Sequence, residues 1–315
     1  LDGEEVKGKI LVTDTLFIFD DHVRQIEEAG YEVVRLAKSD ATESELIEAV
    51  KGKVGYILGG IEKITARVIE AADLLKVIAF TGTDWQYFIP GWEKAKERGI
   101  KIAQAPGANA SAVAEFSLAM ALLMQRNLLE LGGPGDKTFE TSGSLYQTEV
   151  GVIGAGHIGS RIIRMVHSFE PTKIRYTSRS RHPEVETEGA EYADLDTLLR
   201  ACEVIFIAVP AAAGQILNQS AIEKLANNAL LVNIAPSSLI DIDELFLRLK
   251  NGSLRAAIDY PAPRAEFTKL PLHTWYNTND HAAYNTHSAN KLGSDMGTSS
   301  LLNLLENGED KHRVV

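Results

Sequence analysis

The run Gly154-Ala155-Gly156-His157-Ile158-Gly159 constrains this chain more than any other, because it stands between an apolar segment, Val150-Gly151-Val152-Ile153, and a stretch of helical periodicity from about His157 to Phe169. Glycines at this spacing, after a strand and opening a helix, have a physical reading. Gly154 permits the tight turn and Gly156 lets the main chain approach a pyrophosphate. Gly159 lets the helix lie close on the strand, while the first helical amides, around His157 and Ile158, face the anion. A turn of this kind belongs to a parallel sheet with helices across its faces.

The rest of the chain carries the matching pattern of short apolar runs and amphipathic stretches. In the first hundred residues Lys9 to Val12, Glu32 to Leu36, Gly55 to Leu58, Leu75 to Phe80 and Lys101 to Ala103 alternate with Asp20 to Ala29, Ser44 to Val50, Thr65 to Ala72 and Phe88 to Arg98. A second series starts at Glu149 and runs through Lys173 to Thr177, Asp194 to Ala201, Val204 to Ala208, Gln219 to Leu225, Leu230 to Asn233, Asp241 to Asn251 and Arg255 to Asp259. Reciprocal capping is expected at Thr42 with Glu45 and at Ser220 with Glu223. Between the two series, Ala110 to Asn127 is apolar on nearly every face, which predicts a helix buried all round, crossing between domains or packing against another subunit. Gly132-Gly133-Pro134-Gly135 reads as a loop after it. A last helix, Ala289 to Asn307, is too isolated to form a domain and is expected to return to the first one.

Charge narrows the partners. Forty-three acids against 32 bases give a formal net charge of −11 over 315 residues, so no basic excess is available to meet nucleic-acid phosphates or an anionic membrane surface. A small molecule or a protein is the expected partner. The apolar stretch Ala112 to Met124 is too short to cross a bilayer, and the N-terminus shows no basic-then-apolar signal pattern. The single cysteine, Cys202, allows neither an internal disulfide nor a zinc cage and points to a reducing compartment, with the cytoplasm the default. His273, His281 and His287, with Asp280, match no ligand spacing, and no metal is expected.

About twenty residues beyond the glycines, a dinucleotide lacking a 2′-phosphate usually meets a carboxylate on its ribose. Here Ser178-Arg179-Ser180-Arg181 stands instead. Guanidinium groups fork phosphate oxygens, so NADP is expected over NAD, with Arg179 on the 2′-phosphate and Ser178 and Arg181 beside it. The blander alternative is two arginines decorating an exposed loop.

Together with Lys96-Glu97-Arg98-Gly99-Ile100-Lys101, Ala105-Pro106-Gly107, Ala112-Val113-Ala114-Glu115, Leu231-Val232-Asn233-Ile234-Ala235, Leu239-Ile240-Asp241, Ala256-Ala257-Ile258-Asp259 and His281-Ala282-Ala283-Tyr284-Asn285-Thr286, the glycine triplet makes the chain resemble the D-isomer-specific 2-hydroxyacid dehydrogenases over nearly its whole length. The resemblance implies an α/β protein of two Rossmann-like βα domains, the nucleotide-binding one (105–286) inserted into a discontinuous, flavodoxin-like substrate domain (1–104 plus 287–315). It also implies a homodimer and hydride exchange between nicotinamide and a small 2-hydroxy or 2-keto acid. Val209, Pro210, Asn233 and Asp259 join the implied cofactor-binding positions, and Gly59-Gly60 the substrate loop. His281 takes the place of the histidine that moves the hydroxyl proton.

Two places depart from the family pattern. Where an arginine should polarise the carbonyl and hold the substrate carboxylate, Pro236 offers neither charge nor donor, and Ser237 and Ser238 after it read as turn residues. Where a carboxylate should support the histidine, Arg264 stands, and a cation beside His281 would disfavour its protonated form. Glu266, two residues on, is a minority candidate for that role. Leu58 and Ile61 flank the glycine loop where basic or polar residues often stand, and Trp85 is either a site-lining or an anchoring aromatic. Two functions fit: an NAD(P)-dependent oxidoreductase with an altered substrate, or a dinucleotide-binding sensor or scaffold that has lost turnover.

Overall fold

The computed structural model describes residues 6–13, 18–132 and 141–315; of the glycine-rich loop expected at Gly132 to Gly135, Gly132 instead closes the helix Leu128–Gly132 and the rest lies outside the described residues. The described residues form two compact units, one reaching to Asn109 and resuming at Asn285–Val315, the other running from Ala110 to Tyr284. The expected divisions were after residues 104 and 286.

In the first unit, β1 (Gly8–Thr13), β2 (Tyr31–Leu36), β3 (Lys53–Leu58), β4 (Val77–Phe80) and β5 (Lys101–Ala103) form one parallel sheet in the order β2-β1-β3-β4-β5. This is the flavodoxin-like doubly wound order. All of Val77–Phe80 is buried, as a strand covered on both faces requires. The helix His287–Glu306 covers one face, placing Leu301, Leu302 and Leu304 in a core with Ile10, Val12, Ile57 and Val77. Thr42 and Glu45 cap reciprocally: the Glu45 amide donates to Thr42 Oγ1 at 3.4 Å and the Thr42 amide to Glu45 Oε2 at 2.9 Å. The expected helix from Phe88 to Arg98 is instead two short ones, Trp85–Phe88 and Trp92–Glu97. Pro90 forces the break, since the residue before a proline is driven out of the helical region, and Ile89 sits at φ −120, ψ 65.

In the second unit, β6 (Glu149–Ile153), β7 (Lys173–Thr177), β8 (Ala190–Tyr192), β9 (Val204–Ile207), β10 (Ala229–Asn233), β11 (Leu254–Ile258) and β12 (Trp275–Asn277) form a parallel sheet in the order β12-β11-β10-β9-β6-β7-β8. The winding reverses between β6 and β9, whose carboxyl ends therefore flank a crevice. The short outer strands β8 and β12 escape sequence reading because each buries one residue, Ala190 and Trp275, too little for a periodic signal. The helix Ala110–Gln125 shares a core with the helix His157–His167 through Val113, Met120 and Met124 against Ile162, Ile163 and Val166. The helix Gln219–Glu223 is capped by Asn218 rather than Ser220, with Asn218 Oδ1 accepting from the Ala221 amide at 3.0 Å. Among the described residues no helix is long and apolar enough to cross a membrane.

Candidate functional site

The three glycines after β6 prove to be of two kinds. Gly154 holds φ +96, and a Cβ there would lie 2.4 Å from the Ala208 carbonyl oxygen; one on Gly159 would lie 1.7 Å from the Gly154 oxygen. Both are required by the protein's own packing. A Cβ on Gly156 would meet nothing within 4 Å, and Gly156 is exposed at the start of the helix His157–His167. The space before it is open, and the first amides of that helix lack intrahelical acceptors, an arrangement able to receive an anion.

Neighbouring strands place the expected partners around this turn. The Gly154 amide donates to the Thr177 oxygen at 2.8 Å and the Ala208 amide to the Ile153 oxygen at 2.8 Å, so Val209 and Pro210 flank the turn on one side and Ser178 and Arg179 on the other. Arg179 is exposed and makes neither hydrogen bond nor ion pair among the described residues. Arg181 and Ser178 do not share that freedom. Arg181 forks onto Glu186, at 2.9 Å and 2.8 Å, and the Ser178 hydroxyl donates to the Ser180 carbonyl. Two members of the expected phosphate group are thus engaged within their own segment, because Glu186 lies one short helix away.

Asn233 and Asp259 were expected to face the cofactor, yet both are fully buried. The Asn233 amide closes on its own turn, its nitrogen donating to the Ala235 oxygen at 2.8 Å and its oxygen accepting from the Ala235 nitrogen at 3.0 Å. Asp259 accepts from Thr278 Oγ1 at 2.9 Å and from the amides of Ala282 and Ala283 at 3.1 Å and 2.8 Å. A buried carboxylate needs such donors, and these pin the loop that carries His281.

His281 keeps an exposed edge between two tyrosines. The Tyr260 ring stacks on it, with centroids 4.7 Å apart, planes 15° apart and the phenol oxygen 3.4 Å from Nε2; Tyr284 stands tilted at 5.2 Å. The surrounding protein mass lowers the imidazole pKa from its ordinary 6.5, opposed by the carboxylates of Asp259 and Asp280. Arg264 is not the cause. Its guanidinium is held by Asp243 at 2.5 Å and lies over the Phe246 ring at 5.4 Å. Glu266 is exposed on the turn Ala265–Lys269 and makes no hydrogen bond or ion pair among the described residues, so the acidic groups beside His281 are Asp259 and Asp280 instead. Pro236 opens the turn Ser237–Leu239. Tyr260 and Tyr284 were missed because adjacency to Asp259 or His281 in sequence does not reveal a ring stack.

In the first unit, taken by itself, Gly59 and Gly60 are buried, and the Gly59 amide points inward to Thr13 Oγ1 at 3.4 Å instead of offering itself to a substrate. The hydroxyls of Thr13 and Tyr56 both donate to the carboxylate of Glu62, which is 3% exposed. Trp85 anchors edge-on against Trp92 at 5.8 Å. Asp21, His22 and Asp295 lie together, but the Lys291 ammonium already holds both carboxylates at 2.9 Å.

A parallel sheet with reversed winding, a glycine turn at the crevice and an open phosphate cradle define an α/β dinucleotide-binding protein. Residues 119–286 match the family model described as D-isomer specific 2-hydroxyacid dehydrogenase, NAD binding domain. The D-3-phosphoglycerate dehydrogenase of Methanocaldococcus jannaschii is 33% identical over 258 residues, 79% of this chain and 48% of that protein. The glyoxylate reductase of Thermofilum pendens is 31% identical, over 68% of this chain and 66% of its own length. The chain thus spans about half to two thirds of these relatives. It belongs to the D-isomer specific 2-hydroxyacid dehydrogenase family. A crystal structure of a Thermus thermophilus protein superposes with a TM-score of 0.86 at 25% identity, covering 98% of this chain and 100% of that one. The NAD+-bound 3-phosphoglycerate dehydrogenase of Entamoeba histolytica shares the fold, with a TM-score of 0.82 at 21% identity and 98% of each chain covered.

Proposed function

We propose that this chain is an NAD(P)-dependent oxidoreductase acting on a small 2-hydroxy or 2-keto acid or a related carbonyl, with His281 as the proton carrier. The observation that carries this reading is the open cradle before Gly156, at the carboxyl edge of the same sheet from which the pinned loop presents His281. Bound, the dinucleotide supplies or accepts the hydride. His281 gives a proton to the forming hydroxyl in reduction and takes it back in oxidation, while Asp259 fixes the loop and Tyr260 the plane of the ring. NADP is the preferred cofactor in this reading, supported by the absence of a carboxylate after β7 and by the unpaired Arg179. A homodimer is part of it, supported by the half-exposed Leu128, Leu131 and Leu272, gathered where His273 pairs with Glu130 at 2.7 Å.

Cofactor binding, read as NADPH fluorescence and thermal shift, tests the cradle. Gly156→Val is expected to abolish binding with the fold intact, because the added methyls enter empty space; a variant that still binds overturns the assignment. Arg179→Ala is expected to weaken NADPH binding about tenfold, on the order of 1.4 kcal/mol, as loss of a charge-assisted phosphate contact would, and to leave NADH binding unchanged. Equal losses for both cofactors would refute the NADP preference. The replacement by Pro236 supports a second reading, a binding protein without turnover. His281→Ala separates the two: it removes activity from an enzyme and leaves cofactor affinity unchanged in a sensor.

A further inference from the structure

We infer that the second unit carries a further binding site, for a small monocarboxylate, at the edge of its sheet opposite the glycine turn. The amino ends of four neighbouring strands meet there around a polar cavity of about 160 Å³. Thr148 leads into β6, Glu203 into β9, and Asn227 with Asn228 into β10; Arg255 is the second residue of β11, and Gln125 closes the helix Ala110–Gln125. All of them line the cavity. Because the strands of this sheet run parallel, their amino ends lie away from Gly154 and from the loop of His281, which follow carboxyl ends.

Arg255 is half-buried with only neutral oxygens for partners. Its Nη2 donates to Gln125 Oε1 at 2.7 Å and, like Nε, to the Asn228 carbonyl at 3.4 Å. Nη1, with its two N–H groups, has no acceptor among the described residues, and none of their carboxylates pairs with the guanidinium. Burial lowers its pKa, and no charged neighbour offsets that. A charge drawn out of water calls for a counter-charge, and the cavity that Arg255 lines has room for one. Gln125 Nε2 donates to the Ser144 carbonyl at 3.3 Å, which keeps the Gln125 oxygen turned to Arg255 and the guanidinium in place. The side-chain amides of Asn227 and Asn228 make no hydrogen bond among the described residues and are donors for a second ligand oxygen. Glu203 limits the charge. Its exposed carboxylate is more strongly screened by solvent than the half-buried guanidinium, so one negative charge is favoured and a second is not.

The test titrates the full chain at low ionic strength with trifluoroacetate, read as broadening of its fluorine NMR line, and displaces it with acetate, acetamide and phosphate. Acetate is expected to displace the probe; acetamide, with the shape but not the charge, and phosphate, mostly a dianion in mildly alkaline solution, should need about tenfold more. Arg255→Lys keeps the charge but loses the geometry held by Gln125 and Asn228, and is expected to weaken probe binding about tenfold. Asn227→Asp, an exposed change that adds a carboxylate to the lining, should weaken it about fivefold with the fold unaltered. Glu203→Gln should strengthen it, and His281→Ala, at the other edge, should leave it as it was. Binding kept in folded Arg255→Lys and Asn227→Asp but lost in His281→Ala would overturn the inference, as would acetamide or phosphate competing as well as acetate, or no broadening at all.

Discussion

Gly154, Gly156 and Gly159 separate a structural from a functional use of the same residue. At Gly154 and Gly159 any side chain strikes backbone oxygen; at Gly156 it enters open space, which the proposed function gives to the cofactor. His281 gives the other residue-scale argument. Its imidazolium is disfavoured by the surrounding protein, so its pKa lies below the ordinary 6.5. Reduction needs the protonated ring, and reductive kcat/KM is expected to fall as pH rises through that lowered value. Oxidation needs the neutral ring and should rise over the same interval. A pH–rate profile in both directions checks this, and His281→Asn should remove the ionisation along with the activity. A reductive limb breaking above pH 6.5 would contradict the assignment.

At the scale of elements, the loop 278–283 owes its shape to one buried carboxylate. Asp259→Asn leaves one acceptor oxygen and sets an amide nitrogen against backbone donors, so about 1–3 kcal/mol of stability should be lost. The effect is expected to concentrate in that loop: faster hydrogen exchange at Ala282 and Ala283, lowered turnover, and cofactor binding retained. Uniform exchange across the unit would show that Asp259 serves the fold at large. Elements with local signals were legible beforehand. Thr42 with Glu45 caps as expected because cap and helix are neighbours in sequence. Asn218 displaced Ser220 because the helix begins two residues earlier than the Ser220 hydroxyl suggests. The periodicity from Phe88 to Arg98 does not survive as one helix because Pro90 drives Ile89 out of the helical region.

For the whole molecule, the second unit is one continuous segment with an apolar core on each face of its sheet. The first is completed only by the returning helix His287–Glu306. A fragment of residues 110–284 is therefore expected to fold alone and bind NADPH with affinity comparable to the full chain. A fragment ending at residue 109 should remain unfolded, because Ile10, Val12 and Ile57 would face water. Circular dichroism and cofactor fluorescence on the two fragments check both expectations. An unfolded 110–284 fragment would show that the two units fold only together.

The glycine fingerprint, the alternation of strands and helices and the family likeness all lie within contiguous stretches, so the sequence by itself determined the fold class, the position of the dinucleotide turn and the place of His281. Engagement of side chains was decided by tertiary structure. Arg264 and Asp243, Tyr260 and His281, and Asp259 and Ala283 each lie some twenty residues apart and meet only because parallel strands return through crossovers to the same edge of a sheet. That edge turns an arginine suspected of opposing His281 into a partner of Asp243. The glycine turn instead kept its expected place, because its geometry is set by the strand and helix on either side of it.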